Sequence, residues 1–209
     1  MIPEKVVSRL GLYRRLLTGY VPADKEYLFS HELAALAKVS PVQLRRDLML
    51  TSYQGSPGRG YRVRDLVDSI SRILDPPGGI KMGLVGIGRL GGAVLSYFRG
   101  RSPALRLVAA FDVEPDRVNK LYHGVPCHHF AEAGEVIQEK GIIAAILAVP
   151  GRAAQEVADA LVAHGVRGIL SFAPTPLEVP PQVFLEEVDL TTALEKVAYH
   201  ALATTSLER

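Results

Sequence analysis

The sequence predicts an α/β fold: an N-terminal winged helix-turn-helix domain followed by a doubly wound, mostly parallel sheet and a C-terminal helix. Three observations predict it. Residues 80–112 set a glycine turn between two apolar strand-like runs, and residues 113–190 keep alternating apolar runs with helix-spaced stretches, as stacked β-α units do. Residues 30–64 join two short helical segments to a hairpin signal rich in Gly, Arg and Tyr. Asp75-Pro76-Pro77-Gly78-Gly79 is a short, stiff linker between them. The expected organisation is therefore a first domain over residues 1–78, a second over 79–190 and a terminal helix within 191–209.

At 209 residues the chain can bury two cores, and 48% hydrophobic with 22% charged residues is ordinary globular composition. The single Cys127 excludes an internal disulfide framework and fits a reducing compartment. No signal-peptide pattern opens the chain, and the apolar run 142–149 is too short to span a bilayer, so a cytoplasmic protein without a membrane partner is expected. Net charge is +2, unevenly spread: residues 1–80 hold 12 Lys and Arg against 8 Asp and Glu, the remainder 12 against 14. A basic N-terminal part suits a polyanion. A solvated surface can carry the same bias.

Residues 2–20 put Val6, Leu10, Tyr13, Leu16 and Leu17 at helical spacing, and Gly19 and Pro22 end the segment. Ser30 is the expected N-cap of a helix over 30–37, with Lys38-Val39-Ser40 as a turn. Ser40-Pro41-Val42-Gln43 reads as a capping box with proline in the first turn. The helix that follows carries Gln43, Arg45, Arg46 and Asp47 on its polar side and Leu44 and Leu48 behind. Gln pairs with adenine, and Arg with guanine or phosphate, so this helix has the side chains to enter a major groove. An ordinary helix pair with a basic, solvated face presents the same residues.

The next stretch separates those readings. Residues 53–64, with Gly58-Arg59-Gly60-Tyr61-Arg62 at their centre, predict a hairpin directly after the helix, which is the wing of a winged helix. Its arginines would reach phosphates or the minor groove, and its glycines would let the backbone approach. Residues 63–74 continue as a helix with Leu66, Val67, Ile70, Ile73 and Leu74 apolar.

Gly86-Ile87-Gly88-Arg89-Leu90-Gly91 follows a strand and opens a helix, which is the context a dinucleotide fingerprint requires in a Rossmann-type sheet. Gly86 permits the tight turn, Gly88 lets a pyrophosphate approach and Gly91 packs helix on strand. Asp112 closes the second strand, about 20 residues on, where a carboxylate bonds ribose hydroxyls and repels a 2′-phosphate, favouring NAD over NADP.

Further along, residues 116–121 predict a short helix, 124–129 an edge strand or loop, and 131–140 a helix. A buried strand over 142–149, a helix over 152–164, strands over 168–172 and 183–189, and an amphipathic helix over 191–203 complete the series. Val149-Pro150 and Phe172-Ala173-Pro174 end adjacent buried strands at the carboxyl edge, where a nicotinamide would sit. A dry apolar pocket there favours the neutral reduced ring over the cationic oxidised one.

Cys127-His128-His129 does not predict a metal site, because neighbours on a strand face opposite ways and no second ligand group has zinc spacing. Tyr97 is a core or interface aromatic that can bond a carboxylate across a dimer. Asp189 is a helix N-cap or an interdomain partner. No Ser-Tyr-Lys pattern and no His-Asp pair stands beside the expected nicotinamide position, and no catalytic residue is assigned.

Taken together, the chain resembles the Rex family of redox-sensing transcriptional repressors along nearly its whole length. The matching segments are Ser8-Arg9-Leu10, Val42-Gln43-Leu44-Arg45-Arg46-Asp47-Leu48, Gly58-Arg59-Gly60-Tyr61 and Val85-Gly86-Ile87-Gly88-Arg89-Leu90-Gly91. Phe111-Asp112-Val113, Ala148-Val149-Pro150 and Leu170-Ser171-Phe172-Ala173-Pro174 match as well. The resemblance implies a homodimer that binds operator DNA through paired winged helices, an NAD(H)-responsive Rossmann domain that releases DNA when NADH rises against NAD⁺, and a domain-swapped C-terminal helix. The residues expected to contact DNA are Ser40, Gln43, Arg45, Arg46 and residues 58–62, and a dimer or switch role is expected of Tyr97 and Asp189. Before the wing, residues 48–55 depart from the family pattern, lacking its Phe-Gly pair. An NAD-dependent oxidoreductase and a nucleotide-binding module of CoA-ligase type, reminiscent in Phe-Ala-Pro after a strand, remain as rival readings.

Overall fold

The computed structural model describes residues 2–19, 21–98 and 104–207, with side chains as far as 203. Met1, Tyr20 and residues 208–209, which begin or close predicted segments, lie outside the described residues. The chain forms two compact units, Met1–Pro77 and Gly78–Arg209.

In the first unit, α1 (Glu4–Gly19), β1 (Tyr27–Leu28), α2 (Ser30–Ala37), α3 (Pro41–Leu48), β2 (Tyr61–Arg62) and α4 (Val63–Leu74) follow in order. Each helix turns one apolar stripe inward: Leu10 and Tyr13 from α1, Leu33 from α2, Leu44 and Leu48 from α3, Leu66 and Ile70 from α4, all fully buried in one cluster. At about 1.5–3 kcal/mol for each fully buried large side chain, this shared core, rather than the intrinsic propensity of helices eight residues long, stabilises α2 and α3.

Two expected caps differ. Phe29, not Ser30, precedes α2, with the Glu32 carboxylate accepting from the Phe29 N–H at 2.7 Å. The Ser30 hydroxyl instead accepts from Arg45 at 3.1 Å. At α3 only half the predicted capping box forms: the Ser40 hydroxyl accepts from the Gln43 N–H at 3.1 Å, but the Gln43 side chain turns away to Asp47. The wing differs too. Its strand β2 pairs antiparallel with β1, which the sequence reading missed, and the predicted hairpin is reduced to a tight turn closed by Ser56 and Gly60.

The second unit is a seven-stranded sheet formed by β3 (Ile80–Val85), β4 (Leu105–Asp112), β5 (Lys120–Tyr122), β6 (Val125–His129), β7 (Ala144–Leu147), β8 (Gly168–Ser171) and β9 (Phe184–Glu187). Their spatial order is β5-β6-β4-β3-β7-β8-β9, parallel throughout except at β5. Leaving out β5, this is the doubly wound order in which the chain reverses direction beside its first strand. Period-two alternation splits the sheet between two cores. Val85, Phe111 and Leu147 face the helices α6 (Ala133–Lys140) and α7 (Gly151–Ala163), whereas Leu84, Ala110 and Ile146 face α5 (Arg89–Phe98). The terminal helix α8 (Leu190–Leu207) exposes Leu194, Val197, Tyr199 and Leu202.

Residues 116–121 are not the expected helix. Arg117 and Val118 close a turn on Glu114, Asn119 takes a left-handed φ of 59°, and β5 starts at Lys120. His123 and Gly124, at φ 53° and 86°, then form a two-residue hairpin loop into β6. Residues 124–129 are therefore an inner strand, not an edge, because β5 takes the edge.

Candidate functional site

The turn between β3 and α5 is built by its own glycines. Gly86 has φ +91°, and a Cβ on it would lie 2.5 Å from the Ala148 carbonyl oxygen. A Cβ on Gly91 would lie 1.8 Å from the Gly86 oxygen, so no other residue fits without opening the turn. Gly88 is different: the nearest atom to such a Cβ is the Arg117 guanidinium at 4.0 Å. Packing does not demand glycine there, whereas close approach by a pyrophosphate does. The first-turn N–H groups of α5, beginning at Arg89 and Leu90, lack intrahelical partners, the arrangement that favours an anion at a helix start.

Asp112 stands at the end of β4 with only 5% of its surface exposed. Its Oδ2 accepts from the Ile87 N–H at 2.7 Å and from Arg117 Nη1 at 3.2 Å. Its Oδ1 accepts from the Val113 and Glu114 N–H groups at 2.8 and 3.0 Å. Burial pushes the carboxyl up, and the bonds from Glu114, Ile87 and Arg117 more than offset it, so the group stays ionised below the ordinary carboxylate range.

These residues border a cleft of about 450 Å³ at the carboxyl ends of β3, β4 and β7. Gly86, Gly88, Asp112, Val149 and Pro150, all expected from the sequence, line it. Phe130, Ala153 and Val157 add apolar wall, and Arg117 and Arg152 add cations. A turn glycine that tolerates close approach, a buried acid at the end of the second strand and a mostly apolar far wall fit a nicotinamide dinucleotide.

The rest of the predicted set does not line this cleft. Ile87 is buried in the core facing α5, and Phe172 packs against that same cluster. Ala173, 7% exposed, belongs to the core on the opposite face, its N–H bonded to the Ser171 hydroxyl at 3.2 Å. Pro174 is likewise absent from the lining. Strand β8 lies one place beyond β7 and parallel to it, so its carboxyl end shares the sheet edge with the cleft but sits one strand further from β3 and β4. Arg117, which the sequence reading missed, had one signal: a turn residue five positions after Asp112, folded back on it by the Glu114 turn.

In the first unit the outer face of α3 exposes Val42, Arg45 and Arg46. Asp47 does not share it. Only 2% exposed, it accepts from Arg9 Nε and Nη2 at 2.6 and 2.8 Å, from the Tyr13 hydroxyl at 2.8 Å and from Gln43 Nε2 at 2.8 Å. Burial raises its carboxyl, and the bonds from Arg9, Tyr13 and Gln43 more than offset that, leaving it low. Burial and the Asp47 bond push the Tyr13 phenol up. The expected adenine reader Gln43 is thus half-buried and already committed to Asp47.

In the wing, Gly58 and Arg59 sit exposed at the turn. A Cβ on Gly60 would lie 2.5 Å from the Leu28 carbonyl oxygen, so this glycine serves the β1-β2 contact. Tyr61 packs near Tyr53, ring centroids 6.1 Å apart, and Arg62 pairs with Glu26 at 3.2 Å. The Ser52 left-handed turn, φ 56°, carries the departing 48–55 segment into the wing.

Tyr97 is 57% exposed, edge-on to Phe98 at 5.3 Å. Asp189 caps α8, accepting from the Thr191 and Thr192 N–H groups at 2.9 and 3.1 Å and from the Thr192 hydroxyl. Among the described residues no cluster of His, Cys, Asp and Glu could hold a metal ion, and no helix is long and apolar enough to cross a membrane.

Residues 1–48 match the family described as putative DNA-binding protein N-terminus, and residues 79–175 match the CoA binding domain. The chain is 41% identical over 199 residues to a redox-sensing transcriptional repressor Rex of Streptomyces coelicolor, covering 95% of this chain and 77% of the relative. It is 36% identical to the repressor of the same name from Listeria welshimeri, covering 95% and 92%. A crystal structure of RSP in complex with β-NAD⁺ and operator DNA matches with a TM-score of 0.89 and 29% identity, over 100% of this chain and 96% of that one. RSP in complex with β-NADH matches with a TM-score of 0.85 and 28% identity, over 100% and 98%.

Proposed function

As a member of the Rex family of redox-sensing transcriptional repressors, to which this chain belongs, it is a regulator rather than an enzyme, and we propose that it binds operator DNA as a cytoplasmic homodimer that NADH releases. The observation that carries this reading is the pairing, within one chain, of a basic winged-helix unit and a dinucleotide cleft holding Gly86, Gly88 and Asp112. Arg45 and Arg46 on α3 and Arg59 on the wing are our assigned DNA contacts, with Gly58 supplying backbone approach. Ser40, Gln43, Gly60, Tyr61 and Arg62 support them by holding helix and wing in shape.

In the cleft, Gly86 to Gly91 receive the pyrophosphate and Asp112 the adenosine ribose. NAD(H) supplies the redox signal as a positive charge present on the oxidised nicotinamide and absent from the reduced one. Apolar groups such as Val149 and Pro150 disfavour that charge, so they give the chain its preference for NADH. Tyr97 and Asp189 are assigned to the dimer contact, Asp189 by setting the start of a swapped α8. A near-complete switch needs roughly 10⁴-fold preference for the released state, which two sites per dimer supply at about 10²-fold each.

The experiment is titration of a palindromic operator duplex over a salt series, with NADH, NAD⁺ or CoA present. Binding that weakens with salt and is lost with NADH alone supports the reading. A chain that shifts no duplex, or responds to CoA in place of NADH, is not such a sensor.

A further inference from the structure

Asp112 has both oxygens doubly engaged within the chain, by Val113 and Glu114 on Oδ1 and by Ile87 and Arg117 on Oδ2. A carboxylate offers about four acceptor positions, so none is left for a ribose hydroxyl. Three of the four donors are backbone N–H groups belonging to the turn and to the end of β4, and they cannot leave without unfolding those turns. The fourth is a side chain, 43% exposed, at the longest of the four distances. Arg117 is therefore the donor that a ribose displaces. Its guanidinium lies 4.0 Å from where a Gly88 Cβ would be, within the same cleft, so a short swing keeps it beside a bound ribose.

We propose that Arg117 is a specificity-determining residue of this cleft, standing in for a ribose hydroxyl on Asp112 and, once displaced, acting as counter-charge to a 2′-phosphate. The inference rests on the dinucleotide reading above. Asp112 alone would repel the 2′-phosphate of NADPH, and an arginine nearby is what accommodates that group. The pair thus rejects NADPH less sharply than a lone acid would. Arg117 also makes each dinucleotide compete with an internal ion pair before it can bind, which weakens NADH binding slightly.

The test is nicotinamide fluorescence titration of NADH and NADPH into the full-length protein, wild type, Arg117→Met and Arg117→Lys. Arg117 lies outside the hydrophobic cores and is 43% exposed, so both variants should fold. The ratio of the NADPH to the NADH dissociation constant should rise about tenfold in Arg117→Met, the loss of one charge-assisted bond to phosphate. In Arg117→Lys, which keeps the charge, it should stay near the wild-type value. An unchanged ratio in Arg117→Met, or equal rises in both variants, overturns the role of Arg117 while leaving the cleft assignment intact. Wild-type protein that binds neither dinucleotide would overturn the cleft assignment, and this inference with it.

Discussion

Replacing Asp47 by alanine tests whether the first unit is organised around one buried carboxylate. The side chain gathers α1 and α3 through Arg9, Tyr13 and Gln43, and is 2% exposed. Its loss strands the Tyr13 hydroxyl, on a residue with no exposed surface, at a cost of about 1–3 kcal/mol for an unsatisfied buried group. It also strands the Arg9 guanidinium, but that side chain is 25% exposed and can rehydrate, so its share falls well short of the ~3–5 kcal/mol for breaking a fully buried pair. The expected loss is about 2–4 kcal/mol, which in a unit of this size lowers its melting temperature by roughly 8–32 °C. The chain has 8 tyrosines and no tryptophan, and five of the tyrosines precede residue 78, so urea denaturation followed by tyrosine fluorescence is weighted to this unit. The acid limb gives a second reading. Because the folded carboxyl sits below its ordinary value, the unfolded chain takes up the proton first, and the contribution is complete above about pH 4 and disappears as pH falls further. Asp47→Ala should lack that component of acid sensitivity. A stability loss under ~1 kcal/mol would refute the claim that this network joins α1 to α3.

Arg46→Ala and Arg59→Ala should each weaken operator binding by about 1–3 kcal/mol and lower the salt slope by about one, with NADH affinity unchanged; equal binding across a salt series would exclude either from the interface. Asp112→Ala should weaken NADH and narrow its preference over NADPH, since the carboxylate both holds the Ile87 N–H and repels a 2′-phosphate; calorimetry with both cofactors checks it. Val149→Asp, which puts a carboxylate at the cleft wall, should narrow the NADH to NAD⁺ affinity ratio and blunt release from DNA, and an unchanged ratio would remove Val149 from the nicotinamide pocket.

What the sequence determined by itself was local and periodic. The glycine turn was legible because Gly86 and Gly91 face steric limits that no other residue meets, and Asp112 because strand length and spacing carry it to the same edge. The alternation of apolar runs implied a parallel sheet, and the stripes of α1, α3 and α4 implied their shared core. Tertiary structure decided where polar side chains turn. Asp47 lies on the polar side of α3 by sequence, yet Arg9 and Tyr13, 38 and 34 residues away, draw it inward, and Gln43 follows it. It also decided that Tyr27 and Leu28 pair with the wing, that residues 120–122 form the edge strand, and that Phe172, Ala173 and Pro174 miss the cleft. Periodicity records whether a residue faces a core, but not which core or which partner. Those depend on the order of strands in space, and the five-residue spacing of Arg117 from Asp112 becomes a contact only through the Glu114 turn that folds it back.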